Sequence, residues 1–158
     1  MRTQLLLSAL MAMLLVGCSD NTTTRRYNIS VKNETSAPVT IWLTKDGGPV
    51  EPAWSSPEQL AITKPAYDET IGGVTVPAGK TADTGTIEGK FRPGAYAWLR
   101  VYEGQRTFSE ILAISRGNPA RTDVPLSPGK NDIVVKKVAG QFVAVGTRES
   151  DRAPAAGK

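Results

Sequence analysis

The chain is predicted to fold as an all-β, antiparallel β-sandwich of about seven to nine short strands with one long irregular loop. Three observations lead there. Apolar and polar residues alternate over most of the chain after residue 26, turn signals recur roughly every ten residues, and only short stretches carry any helical cue. Tyr27, Ile29 and Val31 alternate with Asn28, Ser30 and Lys32, which predicts a first half-buried strand. After a turn at Asn33–Pro38, Val39, Ile41 and Leu43 alternate with Thr40, Trp42 and Thr44, and Asp46-Gly47-Gly48 ends this second strand.

Residues from Pro49 to Gly73 break the rhythm. Prolines 49, 52, 57 and 65 each lack a backbone donor and argue against a central strand. Ser56-Pro57-Glu58-Gln59 offers a cap, a proline at the first helical position and a Gln three residues on, so one or two helical turns reach about Ile62 within a long decorated loop. Further strands are expected near 74–76, 80–88, 94–103, 107–115, 121–124, 130–138 and 141–146. Breaks fall at Pro77-Ala78-Gly79, Arg92-Pro93-Gly94, Gly117-Asn118-Pro119, Ser127-Pro128-Gly129 and Ala139-Gly140. The tail 147–158 carries no apolar pattern and reads as disordered.

The amino terminus has another character. Met1-Arg2 is followed by an apolar run from Leu5 to Val16 broken only by Ser8, then by Gly17 and Cys18. Such a run is shorter than the roughly 18 residues a spanning helix needs and has the form of a cleaved signal peptide, residues 1–17. Leu15-Val16-Gly17-Cys18 resembles the lipobox of bacterial lipoproteins. That resemblance implies acylation of Cys18 and removal of the peptide before it, leaving membrane lipid as the partner of the acylated cysteine. Two or three acyl chains hold firmly where one holds marginally. By resemblance to the sorting rules of two-membrane bacteria, Ser19 after the cysteine permits transport to the outer membrane, on its periplasmic side; Asp20 one position later keeps the inner membrane open as the alternative. Residues 18–26, polar and unpatterned, then read as a flexible tether, and 27–146 as the sandwich domain.

A second resemblance lies in the middle of the chain. Val39-Thr40-Ile41-Trp42-Leu43, Asp46-Gly47, Val76-Pro77-Ala78-Gly79-Lys80, Gly94 and Trp98-Leu99-Arg100-Val101 follow an order similar to the β-domain of the von Hippel-Lindau tumour suppressor family. It implies a sandwich. That domain holds a hydroxyproline-bearing peptide partly through a histidine; this chain has no histidine, and its loop 49–73 is longer, so no binding residue is carried over.

Composition narrows the chemistry. The chain carries 19 basic and 15 acidic residues, net +4; without residues 1–17, which contain only Arg2 among the charges, the balance is 18 against 15, or +3. The basic residues are scattered or paired, as in Arg25-Arg26 and Lys136-Lys137, so no nucleic-acid partner is expected. One domain of this size buries its own core, and with Cys18 lipidated no disulfide is available. Without histidine, Ser-His-Asp and Cys-His catalysis and His-ligated zinc are excluded. Pro77-Ala78-Gly79-Lys80-Thr81 has the ending of a phosphate loop without its first glycine and reads as a turn. The Asn-x-Ser/Thr triplets at 21, 28 and 33 are read as ordinary strand and turn residues, since the lipobox resemblance implies a bacterial cell, where that pattern is usually unread. No cofactor or metal is expected.

Two candidate sites remain. In the strand 95–102, Ala95, Ala97, Leu99 and Val101 face one way while Tyr96, Trp98, Arg100 and Tyr102 face the other. If the aliphatic set is the core, an outward strip of aromatics around an arginine could stack on sugar rings or anchor a peptide. The same face could instead lie under the long loop, or the aromatic set could be the core with Arg100 snorkelling at its edge. Trp42 projects away from Val39, Ile41 and Leu43, and Trp54 is expected to cover it as a Trp-on-Trp latch. The partner-binding candidates are therefore Tyr96, Trp98, Arg100, Tyr102 and Trp42. The expected role is a non-catalytic, membrane-anchored binding or assembly module for a protein or glycan. Alternatives are a small hydrolase using the loop carboxylates Glu58, Asp68 and Glu69, or a structural envelope lipoprotein.

Overall fold

The structure, a computed structural model, describes residues 21–63 and 73–148. It is an all-β sandwich of two four-stranded sheets. The strands are β1 (Thr23–Asn33), β2 (Val39–Lys45), β3 (Val74–Val76), β4 (Thr81–Phe91), β5 (Ala97–Glu103), β6 (Arg121–Leu126), β7 (Gly129–Val138) and β8 (Gln141–Arg148). One sheet has the order β4-β1-β7-β8, the other β3-β2-β5-β6. All neighbours are antiparallel except β1 and β7, which pair in parallel from Tyr27↔Gly129 to Asn33↔Val135.

Alternation places the core as the sequence predicts. Tyr27, Ile29 and Val31 face Val39, Ile41, Leu99 and Val101 across the sandwich, with Val124, Leu126, Ile133 and Val135 extending the cluster. Burying each such aliphatic side chain stabilises the fold by about 1.5–3 kcal/mol. Where the register between β1 and β4 shifts at Asn28/Ser30, Gly85 takes φ +66 and the Thr84 hydroxyl satisfies Ile29, accepting from its N–H at 3.2 Å.

Three expectations are corrected. First, β1 starts at Thr23, inside the stretch expected as tether, because Thr23–Arg26 pair with Glu88–Phe91 of β4. Polar residues suffice there, since this part of β1 has a solvated face. Second, Thr147 and Arg148, expected in the tail, continue β8 opposite Asp132 and Asn131. Third, residues 107–115, expected as a strand, form helix α2 (Phe108–Ala113). Thr107 accepts from the Glu110 amide while the Glu110 carboxylate accepts from the Thr107 amide, a reciprocal box that closes the helix start. Phe108 and Ile111 then share one helical face. Helix α1 (Pro57–Thr63) forms as expected: the Ser56 amide donates to Gln59 Oε1 at 2.9 Å and Ser56 Oγ accepts from the Gln59 amide at 3.2 Å.

Candidate functional site, a cleft on the outer face of the second sheet

Register defines what the outer face of β2, β5 and β6 presents. Thr44, Trp98 and Pro125 form one row, Trp42, Arg100 and Asp123 the next, and Thr40, Tyr102 and Arg121 the third. Helices α1 and α2 lie over this face. They cover Trp42 and Tyr102, which pack with Phe108 and Ile111 in a second apolar cluster flanked by Leu60, Ala61 and Ile114. Trp42 and Phe108 have ring centroids 5.9 Å apart, and Tyr102 is 0 % exposed.

The predicted strip is thereby divided. Tyr102 and Trp42 are interior residues under the helices, contrary to their assignment as partner-binding residues, because the apolar faces of α1 and α2 need the same surface. Trp98 and Arg100 remain on the floor of an open cleft of about 590 Å³. Tyr96 is 60 % exposed and borders a smaller depression with Trp98 and Pro125.

The expected Trp-on-Trp latch is also replaced. Trp54, in a 3₁₀ turn (Pro52–Trp54), enters the core between the sheets and meets Tyr27 and Phe91 edge-on at 5.1 and 5.2 Å. Its indole donates to the Glu88 carbonyl at 2.8 Å. Gly89 makes room for it: a Cβ there would lie 2.5 Å from Trp54 Nε1. Trp42 stays on the opposite side of its sheet and ties down the same loop by donating to the Ser55 carbonyl at 2.9 Å.

Charge in the cleft is arranged in pairs. Arg100 donates to both oxygens of Glu58, at 2.7 and 2.9 Å. Burial acts to raise the Glu58 carboxyl, but the hydrogen bond from Arg100, those from its own amide and Ser56, and the nearby guanidinium charge outweigh it and hold the group below the ordinary carboxylate range. Burial likewise opposes the charge of Arg100, and Glu58 reverses that, raising its pKa. Arg121 grips Asp123 through two parallel bonds of 2.7 and 2.8 Å. Arg116 approaches the same carboxylate at 3.7 Å, and its guanidinium carbon stands 5.5 Å from the Trp98 ring centroid. The indole N–H of Trp98 donates to Asp46 at 2.9 Å. Beneath the helices the Tyr102 hydroxyl is buried without a hydrogen-bond partner among the described residues. Burial pushes its pKa up against the pull of Arg121 and Arg100, so the phenol stays neutral.

Sequence reasoning missed Asp46, Arg116, Arg121 and Asp123 as cleft residues. The alternation Arg121-Thr122-Asp123-Val124 already placed Arg121 and Asp123 on one face, but their meeting with Arg100 depends on the β5–β6 register. Of the alternative catalytic set, Glu58 is at the cleft wall, whereas Asp68 and Glu69 lie outside the described residues, as does Cys18. Among the described residues no three acidic side chains come together in a way that could hold a metal ion. No model of a known protein family matches the chain, and no curated protein matches it in sequence.

Proposed function

We propose that this chain is a lipoprotein of the bacterial envelope, anchored by acylated Cys18 on the periplasmic side of the outer membrane, and that its sandwich is a non-catalytic binding module for a protein or glycan. The cleft on the outer face of the second sheet is its docking site. One observation carries the reading: after α1 and α2 have covered Trp42 and Tyr102, Trp98 and Arg100 still face an open cleft. Trp98 is held by Asp46 and Arg100 by Glu58, so both present fixed surfaces, and fixed aromatic and guanidinium groups lose little freedom on binding.

The electrostatics favour binding over hydrolysis. A carboxyl acting as general acid at neutral pH needs a raised pKa, and Glu58 is displaced the other way by Arg100.

Crosslinking in intact envelopes tests the reading, with recovery of partners compared between the native chain and Trp98→Ala. Loss of a partner from the variant is expected. Equal recovery from both would remove the cleft as the docking site.

A further inference from the structure

β1 begins at Thr23, only five residues after Cys18. A chain advances at most about 3.3–3.6 Å per residue, so the start of β1 can stand no more than roughly 18 Å from an acylated Cys18, and Asn21 no more than about 11 Å. The sequence pattern suggested a tether through residue 26; the strand consumes its second half. The domain therefore has little slack, and one particular end of it is held near the lipid.

Strand pairing identifies that end. Thr23 lies opposite Phe91, and Tyr27 opposite Gly129. In the other sheet the same end holds Ala97 opposite Lys45 and Leu126. Contacts join the two sheets here: Arg25 donates to the Ala95 carbonyl at 2.8 Å, and Glu51 accepts from the Lys90 amide at 2.7 Å. The rim of this end carries the exposed side chains of Lys90, Arg92, Tyr96 and Val50, with Arg25 half-buried behind them. Among the described residues, three acidic groups at this end are engaged within the protein. Glu88 pairs with Arg26, Glu51 with Lys45, and Asp46 accepts from Trp98. A large exposed tyrosine among cations is the combination that suits a headgroup layer, where the ring lies at the polar boundary and cations meet lipid phosphates.

We propose that the rim formed by Lys90, Arg92, Tyr96 and Val50 rests on the anionic headgroup layer of the membrane. This rests on the acylation of Cys18 proposed above. The opposite end, at the β7–β8 turn, stands about 33 Å farther out, the length of the ten residues of β7, and so lies several Debye lengths from the lipid charge. Trp98 is the second residue of β5 counted from the lipid-facing end, so the mouth of the cleft opens close to the bilayer surface.

The test uses the full acylated chain reconstituted into vesicles of phosphatidylethanolamine and phosphatidylglycerol. Pro93→Cys and Gln141→Cys variants, at opposite ends, carry a fluorophore, and headgroup-nitroxide lipid serves as quencher. Quenching at least threefold stronger at position 93 is expected; equal quenching, or stronger quenching at 141, overturns the orientation. A second arm inserts about 20 Gly/Ser residues between Asn21 and Thr22, a segment whose r.m.s. span is about 25 Å. With this longer tether the difference should persist, and it should fall when Lys90→Glu and Arg92→Glu are combined. Loss of the difference on lengthening alone would show that the rim has no affinity of its own and overturn the proposal. Mass spectrometry of Cys18 and flotation with vesicles separate the two readings: an unmodified thiol and no flotation would overturn both, whereas flotation with equal quenching would overturn only the surface.

Discussion

The guanidinium of Arg116 stands over the face of Trp98, its carbon 5.5 Å from the ring centroid, while the indole N–H on the same ring donates to Asp46. One aromatic side chain is thus held at its edge and capped on its face by a side chain that is 76 % exposed. Arg116 is the movable element, since its carboxylate partner Asp123 already receives two bonds from Arg121. A ligand ring can take the place of Arg116 without breaking the Arg121–Asp123 pair.

Trp98→Ala should therefore reduce partner affinity about 30-fold or more, the effect of removing a central aromatic anchor, with a small change in Tm because the side chain is only half-buried. Arg116→Ala should leave the fold intact and change affinity in either direction by less. Titration of each purified variant with the crosslinked partner checks both.

Among the described ion pairs Lys45 is the most buried partner, 1 % exposed at its side chain, while its partner Glu51 is 31 % exposed. Lys45 also donates to the Lys90 carbonyl at 2.5 Å and stands 4.8 Å from the Phe91 ring centroid. Glu51→Gln should leave a buried cation without its counter-charge and cost about 3–5 kcal/mol. Lys45→Met with Glu51→Leu should cost less than either single change. Urea denaturation of the three variants measures the order.

Stability should fall in acid. The folded-state pKa values of Glu51 and Glu58 are lowered below 4.5; in each case burial pushes upward, but hydrogen bonds and charge from Lys45 and Arg100 prevail. A lowered carboxylate contributes stability above its unfolded pKa and loses it as pH falls through the folded value. The loss should thus begin near pH 4.5 and continue below it, while the curve stays flat toward neutrality. The Arg100–Glu58 part is small, since the Glu58 side chain is 52 % exposed and solvent screens it. Arg100→Gln should flatten the acid limb slightly, as read from Tm against pH.

Removing the cap of α2 with Thr107→Ala should cost about 1 kcal/mol. Its particular signature is faster hydrogen exchange in 108–113 and greater exposure of Trp42 and Tyr102, with the inter-sheet core unchanged. Gly89→Ala should act on the other side, displacing Trp54 from Tyr27 and Phe91 and costing about 1–3 kcal/mol through overpacking. Near-ultraviolet circular dichroism distinguishes the two, since each disturbs a different tryptophan.

The sandwich was legible because alternation is a local signal: Tyr27-Ile29-Val31 and Ala97-Leu99-Val101 declare a buried face whatever they pack against. The helix α1 was legible from Ser56-Pro57-Glu58-Gln59. Thr107-Phe108-Ser109-Glu110 carried the same kind of box, but a six-residue helix is too short for its period to declare itself.

The sequence alone determined which residues of β5 face together, that the chain lacks histidine chemistry, and where the lipobox-like segment ends. Only the tertiary structure decided which members of the aromatic strip are covered. Trp42 and Tyr102 look no different from Trp98 in the alternation, yet they lie beneath Phe108 and Ile111. Exposure is a property of what else competes for a surface, and the claim of a helix packed on that surface is invisible to a pattern with a period of two. The same holds for the charge pairs: Arg100 with Glu58 spans 42 residues, and no local rule joins them until the sheet and helix bring them within 2.7 Å.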